Sequence, residues 1–202
     1  MASEDPQTET VQHGVHVGDH LEFVDWLEAN PDDGRIEFRA TGVAEDTVNR
    51  TTATIDEWSL GGDEMGADRD HTLHFGLPEE LEESLGFTDL EERYEAIEGA
   101  LAGLTACING TIAFNAVREG IDVGDVRTRV RAPTDLRVLF GIHDTDRADE
   151  MFDEPIIEVE VTGSDLSDED VERIREYPKR SPVYNLVTLA HPNDPAVTVE
   201  RS

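Results

Sequence analysis

The stretch ALAGLTACINGTIAFNAVREGI, residues 100–121, decides how the rest of the chain is read. No proline interrupts it. Ile97, Leu101, Leu104, Ile108 and Ile112 recur at steps of three and four, which sets one apolar stripe of an α-helix. Ala100, Gly103, Cys107 and Phe114 lie on the opposite side. A helix apolar over so much of its girth is a central one, covered by other elements rather than lying on a surface. The pattern predicts a helix from about residue 90 to Glu119, roughly 43 Å long, with Thr88 or Asp89 as its cap and Gly120 as its terminator. A kink is expected near Gly103 or Gly110.

Short strands surround this helix. Upstream, GDHLEFVDWLEANPDDG (18–34) predicts an amphipathic helix closed by its own Asn-Pro and Asp-Gly signals. RIEFRAT (35–41), TVNRTTATIDEW (47–58) and HTLHF (71–75) read as strands, GGDEMGADRD (61–70) as a loop, and PEELEESLGFTD (78–89) as a loop with a helical turn. Downstream, VGDVRTRVRA (123–132), DLRVLFGI (135–142) and PIIEVEVTG (155–163) read as strands. SDEDVERIREY (167–177) is a helix with a capping box of Ser167 and Asp170. KRSPVYNLVTLA (179–190) reopens a helix with Ser181 as cap and Pro182 in its first turn, and PAVTVER (195–201) is a final strand. Strands that cluster rather than alternate with helices indicate an α+β fold with antiparallel sheet. Residues 1–17 are expected to form a flexible acidic tail and 18–202 a single domain.

Charge bounds the partners. The 202 residues carry 47 Asp and Glu against 16 Lys and Arg, a net charge of −31, and Lys179 is the one lysine. Such self-repulsion opposes a compact state unless salt screens it, and at 1 M the Debye length is about 3 Å. The composition therefore suggests a salt-adapted, halophilic protein of a reducing cytoplasm. It argues against nucleic-acid binding, which draws on clustered Lys and Arg, and against anionic membranes. No apolar run approaching the 18 residues of a membrane span is read from the sequence.

Few residues carry chemistry. Cys107 is the sole cysteine, so no intrachain disulfide is available, and on composition alone it is a small hydrophobe filling a core. Its alternative is a reactive sulfur, which requires a thiolate and a cation or donor beside it. Arg50 reads as a solvent-facing strand arginine paired with surplus carboxylate. His13, His16 and His20, and the pair His71 and His74, lack a ligand pattern, and DTDRADEMFDE (144–154) lacks the spacing and glycine of a calcium loop. No metal and no bound cofactor is expected.

Three linked segments carry a resemblance: LEANPDDGRIEFRATG (27–42) leading into NRTTATIDEW (49–58), EGALAGLTACINGTIAFNAVREGIDVGDV (98–126), and PIIEVEVTGSDLSDEDVERIREYPKRSPVYNLVT (155–188). Together, in this order, they resemble the OsmC/Ohr family, in its OsmC-like branch. The resemblance implies an intertwined homodimer in which antiparallel sheets from both chains wrap long central helices. It also implies thiol-dependent reduction of organic hydroperoxides in oxidative stress defence. On this likeness Cys107 matches the attacking cysteine, Arg50 the activating arginine, and Ser181 stands where the family's second, disulfide-forming cysteine would be. The family's activating acid is expected ten residues before the cysteine, where this chain has Ile97, with Glu98 adjacent. In a straight helix, nine residues turn about 900°, which would leave Glu98 half a turn from Cys107. A peroxiredoxin-like hydroperoxide reductase without a resolving cysteine would then depend on an external thiol reductant. The alternative is a non-catalytic OsmC-like dimer that binds a small lipophilic ligand in its interface pocket.

Overall fold

The structure, a computed structural model, describes residues 10–191 and 193–200. The chain divides into two compact units, one ending at Ala102 and the other beginning at Gly103.

The first unit opens with a small hairpin, β1 (Val11–Gln12) and β2 (Val15–His16), turned by His13 and Gly14 at positive φ. Part of the expected tail is therefore ordered, while residues 1–9 lie outside the described residues. The hairpin runs into α1 (Val17–Ala29), the amphipathic helix expected there. Two three-stranded antiparallel sheets follow. One orders β3 (Ile36–Phe38), β6 (Trp58–Leu60) and β7 (Asp63–Met65), and the other β4 (Thr41–Ala44), β5 (Thr51–Ile55) and β8 (His71–Phe75). The predicted loop at 61–70 is thus partly a hairpin. Leu60 pairs with Asp63 across Gly61 and Gly62, at φ 60° and 92°. A two-residue turn of type I′, which matches strand twist, needs positive φ at both positions, and the Gly-Gly pair supplies it. After β8 comes α2 (Glu79–Leu85), ended by Gly86 in the left-handed region.

The long helix α3 runs from Ala96 to Glu119, about 36 Å. It starts later than expected. Glu95, not Asp89 or Thr88, caps it: the Ile97 N–H donates to the Glu95 carboxylate at 2.5 Å, and the Glu95 N–H donates to Glu98 Oε2 at 2.9 Å. The bond from Glu95 N–H to Glu98 is the returning half of a capping box, while the Glu95 carboxylate itself satisfies the second helical N–H, that of Ile97. The helix continues unbroken through Gly103 and Gly110.

In the second unit, α3 packs on a two-stranded antiparallel ladder, β9 (Val123–Arg131) and β10 (Ile156–Gly163). Leu104, Ile108, Ile112 and Ala116 are fully buried against the inward residues Val126, Val130, Ile157, Val159 and Val161. The alternate residues Arg127, Arg129, Arg131, Glu158 and Glu160 are exposed, as a half-buried strand requires. The capping box of α4 (Asp168–Glu176) forms as predicted, a 3₁₀ turn follows at Tyr177–Arg180, and Ser181 caps α5 (Pro182–Thr188). By length and composition α3 is also apolar enough to cross a membrane, contrary to the sequence expectation. Its Leu104 to Ala116 stripe is instead buried in a protein core.

Two predicted strands do not form. DLRVLFGI is a run of turns with Leu139 and Ile142 exposed at 67% and 70%. The Asp135 carboxylate accepts from the Arg137 backbone N–H, Phe140 N–H returns to Leu136 O, and Gly141 sits at φ 66°. Local side-chain and turn bonds win over a ladder there. The described part of PAVTVER is irregular, with Val197 and Val199 more than three-quarters exposed.

Candidate functional site

The first unit gathers its charge around one guanidinium. Arg50 ends the loop between β4 and β5, where Asn49 adopts the left-handed conformation at φ 63°. Contrary to the expectation of a solvent-facing arginine, it is only 5% exposed. Its Nη2 donates to both oxygens of Glu82, at 3.1 and 2.9 Å, and its Nε donates to Oε1 at 3.2 Å. Nη1 reaches Glu91 Oε2 at 3.1 Å, and Nη2 also donates to the Asp89 carbonyl at 2.6 Å. Glu82 is fully buried, and a backbone N–H from Glu91 fills its remaining acceptor side at 2.8 Å. Arg50 and Glu82 therefore form a forked pair whose geometry is fixed on both sides.

A second guanidinium extends the group. Arg93 donates to Glu45 at 2.9 Å and to Glu91 Oε2 at 3.0 Å, so Glu91 bridges the two arginines. Thr52 Oγ1 donates to Glu45 at 2.8 Å. The electrostatics follow these contacts. Arg50's hydrogen bonds hold the Glu82 carboxyl below the usual range. Those from Arg93 do the same for Glu91, and those from Arg93 and Thr52 hold Glu45 at about 2. Arg50 is raised in turn, chiefly by Glu82.

The other expected site residues are placed differently. Glu98 is exposed on the first turn of α3, where its carboxylate caps the helix. It is not among the partners of Arg50. Cys107 is a free, half-buried thiol on the part of α3 that belongs to the second unit. An added Cβ at Gly103 or Gly110, one turn to either side, would meet no neighbour within 4 Å, so the helix is open at both glycines. Ser181 is fully buried. Its Oγ accepts from the Tyr184 N–H at 3.2 Å, so the residue at the second-cysteine position serves as a helix cap.

The residues that sequence reasoning missed are Glu82, Glu91 and Arg93. Glu82 sits in EELEESL, where the other acids are solvated, and only Leu81 and Leu85 hint that one side of this short helix turns inward. Among the described residues, no group of three or more His, Cys, Asp or Glu side chains could hold a metal ion.

No protein-family model matches the sequence, and no curated protein matches it at a significant level. Solved structures do. An OsmC-like protein from Mycoplasma pneumoniae aligns with a TM-score of 0.52 and 16% identity, covering 75% of this chain and 86% of the other. The organic hydroperoxide resistance protein OhrB of Bacillus subtilis aligns over 75% of this chain and 90% of its own, at 14% identity and a TM-score of 0.44, which adds no weight to the assignment. Antiparallel sheets, one long apolar helix and the first of these likenesses converge: the chain has an OsmC-like α+β fold.

Proposed function

We propose that this OsmC-like protein reduces organic hydroperoxides at Cys107, with Arg50 as the cation that keeps the sulfur anionic and Glu82 as the acid that holds Arg50 in place. The observation that carries this reading is the buried Arg50–Glu82 fork. Arg50 is the one buried cation among the described residues, in a chain where acids outnumber bases by nearly three to one. A guanidinium sequestered and oriented in this way is suited to stabilising a developing or resident anion.

The chemistry balances with one sulfur. The Cys107 thiolate attacks one peroxide oxygen, the O–O bond breaks, and the alkoxide leaves with a proton as the alcohol. Cys107 becomes a sulfenic acid. A first external thiol displaces water to give a mixed disulfide, and a second releases Cys107 and leaves as the external disulfide. Ser181 takes no part in these steps. A reducing cytoplasm would supply the thiols.

The same reading includes a homodimer. The side of α3 away from its core carries Gly103, Gly110 and Phe114, the last 54% exposed, while Phe38 on β3 and Val43 on β4 are exposed at 65% and 64%. A soluble chain rarely leaves so much apolar surface uncovered.

The test is consumption of tert-butyl hydroperoxide with dithiothreitol in molar salt. Cys107→Ser should abolish it. Arg50→Gln should slow it at least about tenfold at pH 7, since the thiolate and not the thiol is the nucleophile. Equal rates in wild type and Cys107→Ser would defeat the enzyme reading. The non-catalytic reading, favoured by the use of Ser181 as a cap, predicts in addition that Cys107 alkylates no faster than a small free thiol at the same pH.

A further inference from the structure

The second unit contains a cleft of about 590 Å³, within the range of small-molecule sites. Its floor is the inward side of β10, where Ile157, Val159 and Val161 form an apolar strip about 13 Å long. Ile174 of α4 and Tyr184 of α5 form part of its wall. None of its lining residues comes from α3, so Cys107 is not part of it.

Two of the lining residues are cations, Arg175 and Lys179. Their presence runs against the composition of the chain. Residues 173–180 contain Arg173, Arg175, Lys179 and Arg180 against the single acid Glu176, and they include the only lysine in a sequence of net charge −31. The other two cations of this run are engaged elsewhere. Arg180 lies over the Tyr177 ring at 5.4 Å and bonds Asn115, and Arg173 pairs with Glu169 and Glu119. Among the described residues, Arg175 and Lys179 pair with Glu172 and Glu176 on their own exposed segment. Exposed pairs at this spacing are weak, and both cations have donors to spare for another carboxylate.

We propose that this cleft binds an unbranched aliphatic carboxylate, its chain laid along Ile157, Val159 and Val161 and its carboxylate held by Arg175 and Lys179. An apolar floor with two cations in the same lining selects an amphipathic anion over a neutral lipid or a compact polar metabolite. The site is separate from the thiol chemistry, and each stands or falls without the other.

The experiment is calorimetric titration of the full chain with dodecanoate and with dodecanol, at the lowest salt that preserves its circular dichroism spectrum. Dodecanoate should bind saturably at one per chain, at least about tenfold tighter than dodecanol. The double variant Arg175→Glu/Lys179→Glu, altered only at exposed positions, should lose at least about tenfold in dodecanoate affinity and none for dodecanol. Val159→Trp should abolish both; if it fails to fold, Leu166→Trp replaces it. Cys107→Ser should bind as wild type does, whatever its peroxidase result. Absence of saturation, many dodecanoates per chain, or unchanged affinity in the double variant would overturn the proposal.

Discussion

The two halves of this chain bury different materials at their centres. Beyond Gly103, the buried side chains among the described residues are almost all aliphatic: Leu104, Ile108, Ile112, Ala116, Val117, Ile121, Val123 and Ile174, with Tyr177 and the helix cap Ser181. Before it, the buried side chains among the described residues are Arg50, Ser59, Leu77 and Glu82, while Ile36, Phe38, Val43 and Met65 stand exposed. One half is organised by water's exclusion from apolar surface and the other by a fork of opposite charges. The first kind of centre is non-directional and tolerates salt. The second depends on geometry, protonation and the continued presence of both partners.

The largest effect on stability should come from the aliphatic half. Ile108→Ala removes a fully buried side chain and should cost about 2–5 kcal/mol. Chemical denaturation in molar salt measures it, and the loss should change little with salt concentration. A cost below about 1 kcal/mol would mean that the helix face is looser than its burial indicates.

Acid should break the other half first. Glu82, Glu91 and Glu45 are all held below their ordinary values by arginine partners. Groups depressed in the folded state contribute stability that is fully present above the unfolded value near 4.5 and lost as pH falls through the folded value, about 2 for Glu45. Local unfolding of the first unit should therefore set in between about pH 4.5 and 2, ahead of the second, because Glu82 is buried whereas the depressed carboxylates of the second unit, Glu119, Asp135, Glu150 and Asp170, are not among its buried residues. Amide hydrogen exchange resolved along the sequence would show it. Glu82→Gln should move this onset to higher pH and lower peroxide turnover, because the remaining amide cannot answer the Arg50 charge. If both units open at one pH, the contrast between the two centres is wrong.

The same contrast explains what could be read before the coordinates. Periodicity reports apolar burial, so the α3 stripe and the alternation of β9 and β10 were legible in Leu104, Ile108, Ile112 and their partners, while the fold came from the clustering of strands and the resemblance of three linked segments. Capping chemistry is local, so Ser167 with Asp170 and Ser181 with Pro182 were legible too. A buried ion pair has neither signature. Arg50 and Glu82 lie 32 residues apart, and in a chain with 47 acids nothing local separates Glu82 from its solvated neighbours. The likeness to a family pointed to Arg50 but directed attention to Glu98, which helix capping had already claimed. The turns of DLRVLFGI were hidden for the opposite reason: their hydrophobic pattern is that of a strand, and the bonds of Asp135 override it.

A smaller effect tests capping in the aliphatic half. Ser167→Ala removes the oxygen that accepts from the Asp170 N–H at 3.1 Å and should cost about 1 kcal/mol by thermal or chemical unfolding. That is well below Ile108→Ala and should be nearly independent of pH above the range where Asp170 titrates, since Ser167 holds that carboxyl below its ordinary value.

The smallest effect belongs to the exposed face of β9 and β10. Arg129 reaches Glu160 at 2.9 Å, a distance comparable to those within the Arg50 fork, yet both partners are more than half exposed. If distance alone determined what an ion pair contributes, Arg129→Gln and Glu82→Gln would be equally damaging. Desolvation is what separates them: water and salt already solvate the first pair, whereas the second has no solvent to fall back on when one partner is removed. Arg129→Gln should therefore leave the unfolding midpoint within error in molar salt, while Glu82→Gln should lower it. Equal shifts for the two variants would show that the Arg50 fork is no more sequestered than a surface pair, and its assignment as the centre of a functional site would go with it.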